Sequence, residues 1–166
     1  MALGVNPHEQ GVVDTPRRFA NMWREFIEYD PGVLDTTFTT FTAGDLVIVK
    51  GIRVWSVCEH HLLPFTGVAH IAYLPNDRVV GLGRLPKVVE IIAHRPQLQE
   101  NLTAQIADAI EQGLETKGVV VVVEARHHCV VSRGARQPEA NTVTMSARGI
   151  YDEPIARAEV MALITK

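Results

Sequence analysis

An α+β domain built on an antiparallel sheet is what this 166-residue chain predicts. Three observations carry that reading. Apolar residues recur at helical spacing in some segments and at strand spacing in others. The segments follow one another as helix, strand, strand, two helices, strand, strand, helix, which places helices on one face of a sheet. At 46% apolar residues, the chain supplies one hydrophobic core and no sign of a second domain, so 1–166 reads as a single unit.

The first helix starts at Asp14-Thr15-Pro16, where Asp or Thr caps and proline tolerates the first turn. Phe19, Met22, Trp23, Phe26 and Ile27 continue it, and Asp30-Pro31-Gly32 ends it. The threonine-rich stretch from Thr36 to Gly44 has no clear assignment. Asp45 to Ser56 reads as a strand, and since neither alternating set is wholly polar, both of its faces are covered somewhere. Val68 to Leu74 is a second strand, closed by Pro75-Asn76-Asp77, after which Val79 to Leu82 could pair back briefly. Pro86 to Ile92 is a short apolar helix. Pro96 starts a longer one, with Leu98, Leu102, Ile106, Ala109, Ile110 and Leu114 on one stripe. Val119 to Ala125 and Asn141 to Arg148 are strands joined through a loop at 134–140. The last helix runs from about Glu153 to Leu163. The valine run at 119–123 is costly to expose at a sheet edge, which points to association through the sheet.

A formal net charge of -3 argues against a general nucleic-acid or membrane binder, although it leaves room for a local cationic pocket. The N-terminus does not read as a signal peptide, and no apolar run approaches the roughly 20 residues that span a bilayer. A cytoplasmic protein is the simplest reading. On count alone Cys58 and Cys129 allow one disulfide, but each sits beside histidine, which suits a metal site in a reducing compartment better.

The chemistry concentrates in Cys58-Glu59-His60-His61 and His127-His128-Cys129. Thiolate and imidazole are the ligands zinc favours. Cys58 and His61, three apart around a turn, can face one ion, and Cys129 can close the set from the other segment. Three protein ligands leave a fourth position for water, the catalytic arrangement. His60 and His127 are then left for proton transfer. A structural site completed by His60 or His128 is an alternative, as is no metal at all. Glu59 is either a partner orienting a histidine or a solvated loop carboxylate.

Longer motifs carry a resemblance. Ser56-Val57-Cys58-Glu59-His60-His61-Leu62-Leu63-Pro64-Phe65-x-Gly67 resembles a signature of the GTP cyclohydrolase I family. So do Gln97-Leu98-Gln99-Glu100-Asn101-Leu102-Thr103 and His127-His128-Cys129-Val130-Val131-Ser132-Arg133-Gly134. The likeness runs from about Pro7 to Ile164. It implies the tunnelling fold, in which sheets from several subunits close into a barrel, and a homo-oligomer, commonly two pentamers face to face as a decamer, with sites between subunits. It implies zinc held by Cys58, His61 and Cys129, catalysis by His60 and His127, and substrate contacts from Gln99, Glu100, Arg84, Lys87, Arg133 and Arg18. The reaction implied is opening of the purine ring of GTP, release of formate and rearrangement to 7,8-dihydroneopterin triphosphate. Members often carry an extra N-terminal helix or tail, and this sequence begins almost at the core.

The chain also departs from that pattern. The family's usual Ser-Lys after Gly-Leu, with arginine three residues beyond, is replaced by Gly83-Arg84 with Lys87, so the two cations are swapped and a hydroxyl is lost. Asn21 and Asn101 stand where lysine and arginine are usual. By themselves Arg84 and Lys87 would be a charged helix face, and Glu100 a solvated residue off the apolar stripe. Two rivals follow: a relative that stops at a ring-opened product or takes another guanine nucleotide, and a non-catalytic zinc-stabilised binding or assembly module.

Overall fold

The computed structural model describes residues 4–29, 37–39 and 45–166, with 37–39 described by backbone alone. The chain divides into two compact units, Met1–Asp30 and Pro31–Lys166.

The first unit is built on helix α1, Thr15–Ile27, with proline in its first turn. Asp14 precedes it without a side-chain capping bond. Its carboxylate pairs instead with Arg17 at 3.0 Å and with Arg18 at 3.9 Å, on exposed side chains where such pairs contribute little. Phe19, Trp23 and Phe26 meet edge to face along one side. The amide of Glu28 closes the helix on the Arg24 carbonyl. The predicted stop at Asp30-Pro31-Gly32 lies outside the described residues.

The second unit holds strands β1 (Thr37–Thr39), β2 (Val47–Cys58), β3 (Pro64–Leu74), β4 (Arg78–Val80), β5 (Pro96–Gln97), β6 (Gly118–His127) and β7 (Thr142–Gly149). Its helices are α2 (Arg84–Ala93), α3 (Gln99–Leu114), the single turn α4 (His128–Val131) and α5 (Pro154–Ile164), with a 3-10 turn at Ile150–Asp152. Among the described residues the main sheet has five strands in the order β5-β2-β3-β6-β7, antiparallel except for the short parallel pairing of β5 with β2.

Alternation across this sheet sends side chains to two cores. Phe65, Ala69, Ile71 and Tyr73 of β3 and Val119, Val121 and Val123 of β6 pack with Leu85 and Val89 of α2 and Leu102, Ile106 and Ile110 of α3. Ala72, Val120 and Val122 point the other way, to Val160 and Ile164 of α5 and to Tyr151. The two central helices α2 and α3 share one face, as expected, and the C-terminal helix α5 covers part of the opposite one. The reason lies in β6, where five consecutive valines supply apolar surface to both sides.

Those valines are also not an edge. β6 runs between β3 and β7, and Val119 to Val123 are all buried. Among the described residues the sheet's free edges are β7 and the length of β2 that β5 leaves uncovered.

Three further differences have local causes. Val79 and its neighbours do not return to β3, whose two edges are already taken by β2 and β6; β4 pairs with β1 instead. Pro96 does not open α3, because Pro96 and Gln97 pair with Val57 and Cys58 and the helix begins at Gln99. Finally, β2 carries a bulge between Val49 and Ile52. Gly51 adopts φ +73 there and donates its N–H to Nδ1 of His70 at 3.3 Å. The extra residue switches the parity of the strand. Val47 and Val49 face α2 and α3 before the bulge, whereas Ile52 and Val54 do so after it.

Candidate active site

One end of the main sheet gathers the chemistry. Cys58 is the last residue of β2 and His127 the last of β6, with β3 between them. Register aligns Ser56 with Phe65 and Phe65 with His127. Cys129 follows on α4, and α3 begins at Gln99, two residues past the β5 strand that flanks Cys58. Cysteines 71 residues apart are thus brought together by strand register rather than by local sequence.

The turn after β2 is closed by its own backbone. The amides of Cys58 and Leu62 donate to the carbonyls of Leu63 and Cys58, each at 2.8 Å. Leu62 takes φ +52 to complete it, an uncommon conformation for a residue with a side chain. The Glu59 amide donates to the Gln97 carbonyl at 3.1 Å, so β5 fixes the turn from its far side. The Glu59 side chain itself is exposed.

Cys58 Sγ lies 3.9 Å from Nδ1 of His60 and 3.9 Å from Nδ1 of His61. One ligand atom from each of the three residues falls within 4.8 Å of the others. Cys58 is buried, both histidines are exposed, and both cysteines are free thiols. Burial raises the Cys129 thiol, and the neighbouring Cys58 raises it further, a cost that a shared cation removes. One thiol and two imidazole nitrogens within this span, with the Cys129 thiol hydrogen-bonded to Cys58, are chemistry that fits zinc. Arg133 reaches the same cluster, donating to Nε2 of His61 at 2.9 Å.

His127 stands beside this cluster. Its ring stacks on Phe65 at 4.5 Å between centroids and 14° between planes. Its Nε2 lies 2.7 Å from Oε1 of Gln99. Burial holds its pKa below the ordinary imidazole value, partly offset by the Glu100 carboxylate. Glu100 itself is exposed in the first turn of α3, where negative charge also favours the helix.

Of the residues expected to bind substrate, Glu100, Gln99 and Arg133 are brought to this end. Gln99 is buried and bonded to protein through its amide. Arg84 and Lys87 are half-buried on the first two turns of α2. The other end of α2 is the one beside the cluster, since Ser56 Oγ donates to the Ala93 carbonyl at 2.7 Å. At 1.5 Å per residue, Arg84 lies about 14 Å along the axis from Ala93. Arg18 belongs to the first unit. The ring contact of Phe65 was missed as a site feature in the sequence, although its place two residues before Gly67 on the strand after the His-His turn was a usable signal.

Comparison with known proteins agrees with these motifs. The chain matches the family model for GTP cyclohydrolase I over residues 1–165. It is 50% identical to the GTP cyclohydrolase 1 of Streptococcus pyogenes serotype M49 (strain NZ131), over 99% of this chain and 88% of the relative. A second Streptococcus pyogenes protein of that name is 51% identical over the same shares. Among solved structures, the apo archaeosine synthase QueF-Like is similar with a TM-score of 0.53 at 18% identity, covering 65% of this chain and 97% of that one. At that identity the likeness is one of fold.

Proposed function

The chain belongs to the GTP cyclohydrolase I family, and from that premise we propose that the cluster at the end of β2, β6 and α3 is its zinc-dependent active site. The fold is the tunnelling fold, and the activity is hydrolysis of GTP to 7,8-dihydroneopterin triphosphate with loss of formate. The observation that carries the site is the convergence of Cys58, His60, His61, His127 and Cys129 on one sheet end.

Cys58, His61 and Cys129 would hold the metal. Bound there, zinc supplies Lewis acidity and a nucleophilic water near neutral pH. The remaining work falls to the chain's own groups. His127, neutral near pH 7 because burial depresses its pKa, accepts and returns the proton at the purine's five-membered ring. His60 does the same nearer the ribose. Glu100 accepts the guanine N1–H and 2-amino protons as paired hydrogen bonds. Arg133, Arg84, Lys87 and Arg18 neutralise the triphosphate. Two adjacent free thiols used as ligands suit a reducing, cytoplasmic setting.

The position of Arg84 and Lys87 supports a site shared between subunits. They lie toward the end of α2 away from the Cys58 cluster, so a triphosphate held by all four cations draws on more than one copy. A homo-oligomer, with a decamer as the family's common form, would supply them through the free edges of β2 and β7. Mixing two inactive variants, Arg84→Ala and His127→Ala, tests this. Shared sites regain activity on subunit exchange; sites contained in one chain do not.

The founding experiment incubates the zinc-loaded protein with GTP and follows formate and pterin together. Both products support the full reaction. Formate alone points to a relative that stops at a ring-opened product. Neither product, with zinc bound and the oligomer intact, removes the assignment.

A further inference from the structure

Gln99 is 1% exposed at the start of α3. A buried amide has to satisfy two N–H donors and a carbonyl. Its Nε2 faces the Val123 carbonyl at 2.9 Å, the Thr142 carbonyl at 3.0 Å and Thr144 Oγ1 at 3.1 Å. Backbone carbonyls only accept, so this end of the amide is the NH2. The third partner is consistent. Thr103 donates its hydroxyl to the Gln99 backbone carbonyl at 2.7 Å, so Thr144 is the donor in the 2.6 Å contact between the two hydroxyls and keeps a lone pair for the Gln99 amide. These anchors come from β6 and β7, which clamp the amide from two strands.

The carbonyl oxygen Oε1 is thereby turned toward His127, 2.7 Å from Nε2. A carbonyl cannot donate, so Nε2 carries the proton. Phe65, stacked on the ring, prevents it from rotating out of that bond. A neutral imidazole held in this way has its free lone pair on Nδ1 alone.

We propose that Gln99 is a positioning residue that fixes His127 in the Nε2–H tautomer, so that proton exchange with substrate runs through Nδ1. This deepens the reading of His127 as the proton-transfer group and rests on it. Both side-chain N–H groups of Gln99 are engaged by the protein, so its removal acts on turnover rather than on the capture of guanine.

The test is 15N NMR of the zinc-loaded protein with labelled histidines, His127 being assigned by its loss in His127→Asn. The expected spectrum has the proton on Nε2 and a bare Nδ1. Gln99→Met removes the acceptor at similar volume. It should give mixed tautomers and lower kcat by about a hundredfold, the scale of one general acid–base group, with KM for GTP little changed. A proton on Nδ1 in the unmodified protein overturns the proposal, and so does an unaltered Nε2–H tautomer in Gln99→Met. A raised KM with unchanged kcat in Gln99→Met also overturns it, since that marks direct substrate contact. Should Gln99→Met not fold, the spectrum of the unmodified protein decides alone. Turnover retained in His127→Asn would instead remove the role of His127 and leave the tautomer result standing.

Discussion

Arg133 donates to Nε2 of His61 at 2.9 Å, on the opposite side of the ring from Cys58. A neutral imidazole has one lone pair, so while Arg133 uses it the proton sits on Nδ1. Were His61 to hold the metal through Nδ1, its proton would sit on Nε2, and the guanidinium would lose this acceptor and be free for phosphate. Arg133→Ala should bind zinc at least as tightly as the unmodified protein in a chelator-competition titration. Its KM for GTP should rise about tenfold or more, as expected for loss of one charged hydrogen bond of roughly 1.5–3 kcal/mol. Weaker zinc binding in this variant would show that Arg133 supports the metal site instead.

His60 and His61 stand equally far from Cys58 Sγ, and their rings meet edge to face at 6.1 Å. The proposed division of labour separates them. His61→Ala, Cys58→Ser and Cys129→Ser should each lose stoichiometric zinc. His60→Ala and His127→Ala should keep zinc and the oligomer while kcat falls by about 10²–10⁴-fold, the range for a lost proton-transfer group. Metal analysis alongside single-turnover kinetics checks this. Zinc lost from His60→Ala would make His60 a ligand and the site a closed one.

Much of this was legible because the informative signals are local. Cys58 and His61 share one turn, and the apolar stripe of α3 and the valines of β6 announce their elements directly. What escaped depends on relations between distant segments. The two-sided look of β2 came from a bulge, which exchanges the buried parity at Gly51 and cannot be seen in a simple alternation count. β6 looked like a hazardous edge because its sequence does not say that β3 and β7 flank it. The inward turn of the Gln99 amide depends on the packing of α3 against β6 and β7, which its sequence neighbours do not announce.

The environment of His127 fixes a pH dependence. Burial lowers its pKa and the Glu100 carboxylate raises it, burial being the larger effect. The folded value therefore lies below the ordinary 6.5. Between the two values the unfolded chain binds a proton that the folded chain refuses. This contribution to stability is complete above pH 6.5 and is lost as pH falls through the folded value. Glu100→Gln removes the raising influence, so His127 should titrate lower still. NMR titration of the metal-free, substrate-free protein reads this without involving Glu100 in turnover. An upward movement in Glu100→Gln would mean that the carboxylate acts by some route other than its charge.

Gly67 offers a test of the sheet end itself. It sits on β3 opposite Ala125, two residues from the Phe65–His127 pair. A Cβ there would collide with the Glu124 carbonyl oxygen and come within 2.6 Å of the Ala125 Cα. Both obstacles are backbone in the most buried strand of the sheet, so no side-chain rotation relieves them. Gly67→Ala should destabilise the fold by about 3 kcal/mol or more, at or beyond the upper end of ordinary overpacking. Forcing β3 from β6 also separates Phe65 from His127. Denaturant unfolding measures the first effect, and kcat of the surviving folded fraction measures the second. A variant with unchanged midpoint and unchanged kcat would show that β3 and β6 are not held in this register.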